Sequence, residues 1–296
     1  MTVEFLTDRV GYIPGAVNVG VIRADGERFI LIDTGLNDTS GKKAVKAIQE
    51  LNGTVVAIVT THAHADHFGA NATVVKRTGA RVFAPAIDEA IIRYPILQPT
   101  LLYAGADPPS TLRGRFLLAD ASPVDEVFDG ETLDVEGVTL DVVSLAGHSP
   151  NQKGLLFDGV FFSADVTLPE TVLEKYRIPY LYGVGDHLQA IETAKGIVAD
   201  WVVPGHGAVG PDHADTLELN RLLVLEVADR IQEFASMPLP ANDLMAKVLA
   251  SYEAPVTDHP AYFLLHPTIF AFLSYLHGLG ALESAVEGYQ TLWWRT

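Results

Sequence analysis

Along the first two hundred positions, short apolar runs alternate with turn residues; beyond about residue 215 the apolar positions fall at helical spacing. Residues 17–22 and Arg28–Ile32 flank Ala24-Asp-Gly-Glu27, a hairpin signal because Asp-Gly adopts the positive φ angles of a tight turn. Asp33-Thr34-Gly35 closes the second strand, and Asp38 is expected to cap a helix over 40–51. Residues 54–60 form an almost wholly apolar strand, followed by a predicted helix over 70–78 and a strand over 81–84. Strand, helix and strand in that order indicate a sheet with helices packed on it.

Residues 86–125 break this rhythm, with Pro95, Pro99, Pro108, Pro109 and Pro123 interrupting short apolar pieces. Long irregular segments inside compact domains are often functional, so this stretch reads as an inserted cover over a site; the alternative is a surface elaboration without a role. Strand signals return over 132–145 and 154–163, the latter turning at Asp158-Gly159. A helix over 187–198 leads to a strand over 201–203 and to Pro204-Gly-His-Gly207. In the tail, Leu217, Leu222, Leu225 and Ile231 mark one helix, and Asn242 or Asp243 is placed to cap a second. Pro267 fits the first turn of a third helix, and residues 284–295 suggest a hairpin turning near Glu287-Gly288. The organisation expected is a catalytic domain over 1–214, with its cover at 86–125, and a winged-helix-like extension over 215–296.

Composition narrows the chemistry. The chain has 296 residues, 48% of them hydrophobic and 19% charged, as in an ordinary globular protein. No run approaches the roughly 18 apolar residues of a membrane span, and the N-terminus carries no basic start followed by an apolar run. A cytoplasmic location is the default expectation. Cysteine is absent, which excludes disulfides, thiolate nucleophiles and cysteine-based metal sites. The net charge of −17, with ten acidic against four basic side chains in the tail, argues against nucleic acid as a partner, because phosphate contacts need a basic surface. The tail is therefore expected to serve in packing or in pairing two copies as a homodimer.

The strongest local signal is Thr61-His62-Ala63-His64-Ala65-Asp66-His67, four ligand-type side chains directly after a buried strand. Buried imidazoles and carboxylates cost several kcal/mol without partners, and a metal ion supplies them. In an extended segment His62 and His64 point the same way, whereas Asp66 and His67 swing across a bend, so one pair can hold one ion and the second pair another. His148 in Leu145-Ala-Gly-His-Ser-Pro150, Asp165 after the run 160–162, and His206 in Pro204-Gly-His-Gly207 also stand at strand ends. Such edges leave a coordination position open for water or substrate. His187, His213, His259, His266 and His277 have no motif around them and read as structural.

This order of motifs, over roughly residues 15–210, resembles the metallo-β-lactamase superfamily and within it the glyoxalase II-like branch. The resemblance implies an α/β fold, an αββα sandwich carrying a mainly helical C-terminal extension. It implies that His62, His64 and His148 bind one metal, that Asp66, His67 and His206 bind a second, and that Asp165 bridges them. Asp33, in Leu31-Ile-Asp-Thr-Gly35, would support the ligands without binding metal. The cofactors implied are two divalent ions, zinc in the first place, with iron or manganese as alternatives. Two ions roughly 3.5–4 Å apart would hold a bridging hydroxide, with Asp66 orienting it, to attack a thioester, ester or lactone. The bridging Asp disfavours antibiotic hydrolysis. Two other readings use much of the same motif: a phosphodiesterase or endoribonuclease, and a mononuclear iron persulfide dioxygenase. Lys175 and Tyr176, with Arg177 beside them, fall where glyoxalase II-like enzymes contact a thiol conjugate. Tyr94, Tyr103, Tyr180 and Tyr182, with Arg113 and Arg115, are further candidate contacts to a small-molecule substrate.

Overall fold

The computed structural model describes residues 2–296. Its N-terminal half is a seven-stranded sheet in sequential order, built from β1 (Glu4–Phe5), β2 (Val10–Ile13), β3 (Val19–Asp25), β4 (Arg28–Ile32), β5 (Thr54–Val59), β6 (Arg81–Pro85) and β7 (Glu126–Phe128). The first four strands are antiparallel neighbours; β4 to β7 run parallel. The parallel part needs crossovers, which α1 (Asp38–Gln49), the single turn α2 (Ala65–Phe68) and α3 (Asn71–Thr78) provide. Both faces of β4 are covered, as its unbroken apolar run requires. Phe29 and Leu31 pack with Ala44, Val45 and Ile48 of α1, while Ile30 and Ile32 face the second sheet.

The cap of α1 differs from expectation by one residue. Asn37, with an extended backbone, accepts from the N–H groups of Thr39 and Ser40, and Ser40 Oγ accepts from Asn37 N–H in return. Asp38 is already helical, because the residue that caps is the last one to keep non-helical dihedrals.

The insert contains more regular structure than its prolines suggest. It forms α4 (Asp88–Arg93), α5 (Leu97–Leu102) and a 3₁₀ turn (Ser110–Leu112), with Pro99 accommodated in the first turn of α5. The second sheet follows: β8 (Thr132–Val135), β9 (Val138–Ser144), β10 (Lys153–Phe157) and β11 (Val160–Ala164). After α6 (Glu170–Tyr176) and α7 (Val184–Lys195), β12 (Trp201–Pro204) adds in parallel to β11 and completes a five-stranded sheet. Between the sheets lies a core that includes Val10, Ile22, Val59, Phe83, Leu140 and Phe162. Phe161 faces the other way, onto Ala190 and Ile191 of α7. The layers are helix, sheet, sheet, helix, the αββα arrangement expected.

The tail comprises α8 (Ala214–Phe234), β13 (Leu239–Pro240), α9 (Ala241–Ser251), α10 (His259–Gly278), β14 (Leu282–Glu287) and β15 (Gln290–Arg295). β13 joins the hairpin to make a three-stranded sheet. The third helix starts earlier than its central proline suggested. Asp258 caps it by accepting from Ala261 N–H, Pro260 occupies the first turn, and Pro267 lies inside the helix. The missing N–H at Pro267 leaves the Phe263 carbonyl without its helical donor, a local cost outweighed by burial of Ile269, Phe272, Leu273 and Leu276. The core of the tail is continuous with Ile178, Leu181 and Val184 of the preceding segment. Among the described residues, no helix is long and apolar enough to cross a membrane.

Candidate metal centre

The site lies where the two sheets meet, at the C-terminal ends of β4, β5, β9, β11 and β12. These strands end in Asp33, the His62–His67 segment, His148, Asp165 and His206 respectively. β5 ends at Val59, the chain bends at Thr61 and His62, and His64 is the extended residue (φ −86°, ψ 141°) from which α2 starts. That turn carries Asp66 toward His206, while His67 stays beside His62 with ring centroids 4.1 Å apart.

All seven predicted groups converge. One ligand atom each from His62, His64 and His148 lie within 4.8 Å of one another, and so do those of Asp66, His67 and His206. Asp165 also groups with His62 and His67 within the same limit. Asp165 Oδ2 stands 3.3 Å from His67 Nε2 and 3.4 Å from the Nε2 atoms of His148 and His206, so it sits between the two triads. Asp66 Oδ2 is 3.4 Å from His206 Nε2.

Hydrogen bonds outside the cluster fix which ring nitrogen faces in. His67 Nδ1–H donates to Asp33 Oδ2 at 2.7 Å, His206 Nδ1–H to the Ala16 carbonyl at 2.7 Å, and His148 Nδ1–H to the Tyr180 carbonyl at 3.2 Å. Thr61 Oγ1 donates to Asp33 Oδ2 and accepts from His62 Nδ1–H at 3.0 Å. Each of these four rings therefore keeps its Nδ1 proton on an outside acceptor and turns Nε2 to the centre, the orientation a metal ligand requires. His64 instead turns its Nδ1 inward, 3.1 Å from His62 Nε2. His67 Nε2, His148 Nε2 and Asp165 Oδ1 are buried without any hydrogen bond. Leaving such groups unpaired costs about 1–3 kcal/mol each, and divalent ions coordinated by them would remove that cost. The residues present thus fit the metal centre that the sequence implies.

The electrostatics agree with a site built for cations. Burial and the neighbouring imidazoles hold His62 well below the usual histidine range, and His64 is lowered to about 3 for the same reasons. Burial also opposes charge on His67 and His206, yet the carboxylates win: Asp165 and Asp33 hold His67 well above the usual range, and Asp165 with Asp66 raises His206 to about 10. Against its own burial, Asp165 is held well below the usual carboxylate range by His67 and His206.

Asp33 serves as turn residue and support at once. Its φ is +60°, and its carboxylate accepts from Thr61 N–H at 2.8 Å, from Thr61 Oγ1 and from His67 Nδ1. A second supporting carboxylate, Asp88, has no motif around it that would mark it in the sequence. It is fully buried and accepts from the backbone N–H of Ala63 at 2.8 Å and of Asn151 at 2.9 Å, which ties the His62–His67 segment to the loop after His148. The preceding Ile87 (φ 70°, ψ −57°) forms a rare γ-turn closed by Asp88 N–H on the Ala86 carbonyl. Arg177 (φ 68°, ψ −43°) makes a second one, just before Pro179 and Tyr180. Strain of about 1–3 kcal/mol at each such residue persists only where the surroundings impose it, and both turns adjoin the site.

A cavity of about 870 Å³ opens over the cluster. Lys175, Tyr176 and Tyr180 line it. Tyr94, Tyr103, Tyr182, Arg113 and Arg115 are not among its walls: Tyr103 packs edge-on against Phe263, Arg113 pairs with Asp107, and Tyr94 and Tyr182 are exposed. Tyr180 stands edge-on to His64 and His148, with ring centroids 5.3 and 6.0 Å away, and burial pushes its phenol up to about 12.

Fold and site together define a protein with a clustered His/Asp centre suited to divalent metal ions. The chain belongs to the metallo-beta-lactamase superfamily, whose family model matches residues 12–206. A hydroxyacylglutathione hydrolase from Erythrobacter litoralis (strain HTCC2594) is 27% identical over 133 residues, 43% of this chain and 41% of that relative, so the match spans less than half of either protein. Two solved structures share the fold over nearly the whole chain. A beta-lactamase domain protein from Burkholderia ambifaria has a TM-score of 0.78 at 17% identity, covering 99% of this chain and 93% of that one. A metallo-beta-lactamase family protein from Thermus thermophilus has a TM-score of 0.74 at 19% identity, covering 99% and 100%.

Proposed function

We propose that the chain hydrolyses a thioester, ester or lactone, using two divalent ions, zinc in the first place. His62, His64 and His148 would hold one ion, Asp66, His67 and His206 the other, and Asp165 would serve both. The observation that carries this reading is the pair of triads sharing one buried carboxylate, with four of the rings held by outside hydrogen bonds so that Nε2 faces the centre. The relative named for hydroxyacylglutathione hydrolysis supports an acyl substrate. When bound, such ions supply Lewis acidity and a nucleophilic water at neutral pH.

The chain's own residues do the rest. Asp66, half-buried beside His206, accepts a hydrogen bond from the attacking water and orients it. Asp33 and the Tyr180 carbonyl keep His67 and His148 from rotating, so ligand geometry is set before substrate arrives. The apolar cavity wall excludes bulk water around the scissile bond. The water oxygen joins the acyl carbon, the C–S or C–O bond breaks, and the leaving thiol or alcohol takes up a proton. The extension over 215–296 belongs to this reading as the part that closes the cavity, rather than as a reader of nucleic acid.

The test is a panel of thioesters, esters and lactones assayed before chelation, after removal of metal, and after zinc is restored. Hydrolysis of at least one class should vanish on chelation and return with zinc. Hydrolysis that survives complete removal of metal would overturn the reading.

A further inference from the structure

The walls of the cavity narrow the substrate further, on the reading of the site as an acyl hydrolase. Among the described residues, the only charged side chains lining it outside the ligand cluster are Lys43 and Lys175. Both are solvent-exposed, and Lys175 Nζ is 3.0 Å from its neighbour Tyr176 Oη. No acidic side chain of the described residues lines the cavity beyond Asp66 and Asp165. Beyond these two lysines and the uncharged Asn37, Thr39, Ser40, Gln98, Tyr176 and Tyr180 the wall is apolar, so an apolar acyl chain would be removed from water along most of its length.

Beside Ile13, Val17, Val19 and Leu36 of the N-terminal part, three further segments of the chain build that wall. The α6 segment contributes Leu168, Val172 and Ile178, the insert contributes Phe116 and Leu117, and the start of α10 contributes Leu264 and Leu265. The latter two parts hold each other: Leu102, Leu112 and Leu117 of the insert form one apolar cluster with Phe263 and Leu264 of the tail, and Tyr180 joins it beside His64 and His148. Thr111 and His259, at 2.9 Å, add a polar tie between the same two segments. Insert and tail thus act as a single unit that carries the apolar wall to the edge of the ligand cluster. We infer that this site takes substrates with an extended apolar acyl chain, of about eight carbons or more, and that Val172 and Leu264 set the chain length accepted.

Each methylene moved from water into such a wall is worth about threefold to fourfold in affinity. Two measurements read this out. With the zinc-loaded protein, kcat/KM is measured for p-nitrophenyl esters and thioesters from acetyl to dodecanoyl. It should rise at least a hundredfold between acetyl and octanoyl. With the metal-free protein, binding of the normal alcohols from butanol to decanol is followed by calorimetry, and affinity should climb with each methylene. V172W and L264W, which fill the wall, should lower kcat/KM for the octanoyl substrate at least tenfold more than for the acetyl substrate.

A flat or falling chain-length profile among substrates that are hydrolysed would overturn the inference while leaving the acyl-hydrolase reading intact. Graded alcohol binding without hydrolysis of any acyl substrate would support the apolar site and overturn that reading instead. A tryptophan variant that loses acetyl and octanoyl substrates equally would overturn the role given to its residue.

Discussion

Asp165→Ala is expected to lower kcat/KM by about a thousandfold, the scale seen when a central stabilising group is taken from an active site. It should also cost the protein at least one of its metal ions. The reason is position: one carboxylate oxygen lies 3.3–3.4 Å from three imidazole nitrogens drawn from both triads, while the other is buried without a partner. Among the described residues, no other carboxylate reaches both triads in this way. Asp165→Asn preserves the volume and still allows one amide oxygen to accept, so it separates charge from packing. Elemental analysis and kinetics on both variants check the claim, which predicts that the Asn variant falls nearly as far as the Ala variant. Full metal content with activity within tenfold of the native protein in either variant would contradict it.

Gly205→Ala should be almost as damaging although glycine has no side chain to contribute. A methyl group at this position would fall inside contact distance of Asp165 Oδ1 and 2.8 Å from His67 Cε1. The Gly205 N–H also donates to the Ala164 carbonyl, and its own carbonyl accepts from Asn18 N–H, both at 2.8 Å, so the backbone is held from two sides and cannot retreat. Overpacking of this kind costs about 1–3 kcal/mol of stability. The larger effect is on chemistry, because displacing a ligand by about 1 Å is enough for a hundredfold loss. The expected result is a chain that still folds, with a modestly lowered Tm, and a kcat/KM reduced by about a hundredfold. An unchanged kcat/KM would mean that the strand end yields more easily than its hydrogen bonds indicate.

The site was largely legible in the sequence because its members sit where strands stop. An apolar run followed by His-x-His-x-Asp-His, a run followed by Asp165, and another followed by Gly-His206 all announce side chains at one sheet edge, and parallel or like-directed strands bring those edges together. That helices pack on a sheet was legible for a related reason, since strands apolar on both faces need cover on both; the αββα layering itself came from the family resemblance. Asp88 was not legible, since its partners, the Ala63 and Asn151 amides, are 25 and 63 residues away and its own surroundings read as an ordinary helix start. The substrate contacts were not legible either. A tyrosine's distance from a catalytic centre depends on how the insert folds back, and α4 and α5 are six residues each, too short for periodicity to reveal. The tail misled at Pro267, where burial of one helix face outweighs a broken hydrogen bond, and at Asn242 and Asp243, which lie inside α9 behind an N-cap at Pro240 that has no side-chain cap. Its role as a cavity wall depends on Leu102 and Leu112 meeting Leu264, a contact that no local pattern encodes.

The central claim, that these seven side chains form a two-metal centre, is tested most directly by counting metals. The native chain, purified without chelators, is subjected to elemental analysis per mole of protein. The account predicts about two divalent ions per chain, zinc or a mixture rich in it. A single iron per chain would contradict the dinuclear hydrolase and point instead to the mononuclear oxygenase chemistry that the same motif can serve, while protein that binds no metal, even when zinc is supplied in excess, would contradict the assignment of the cluster as a metal centre altogether.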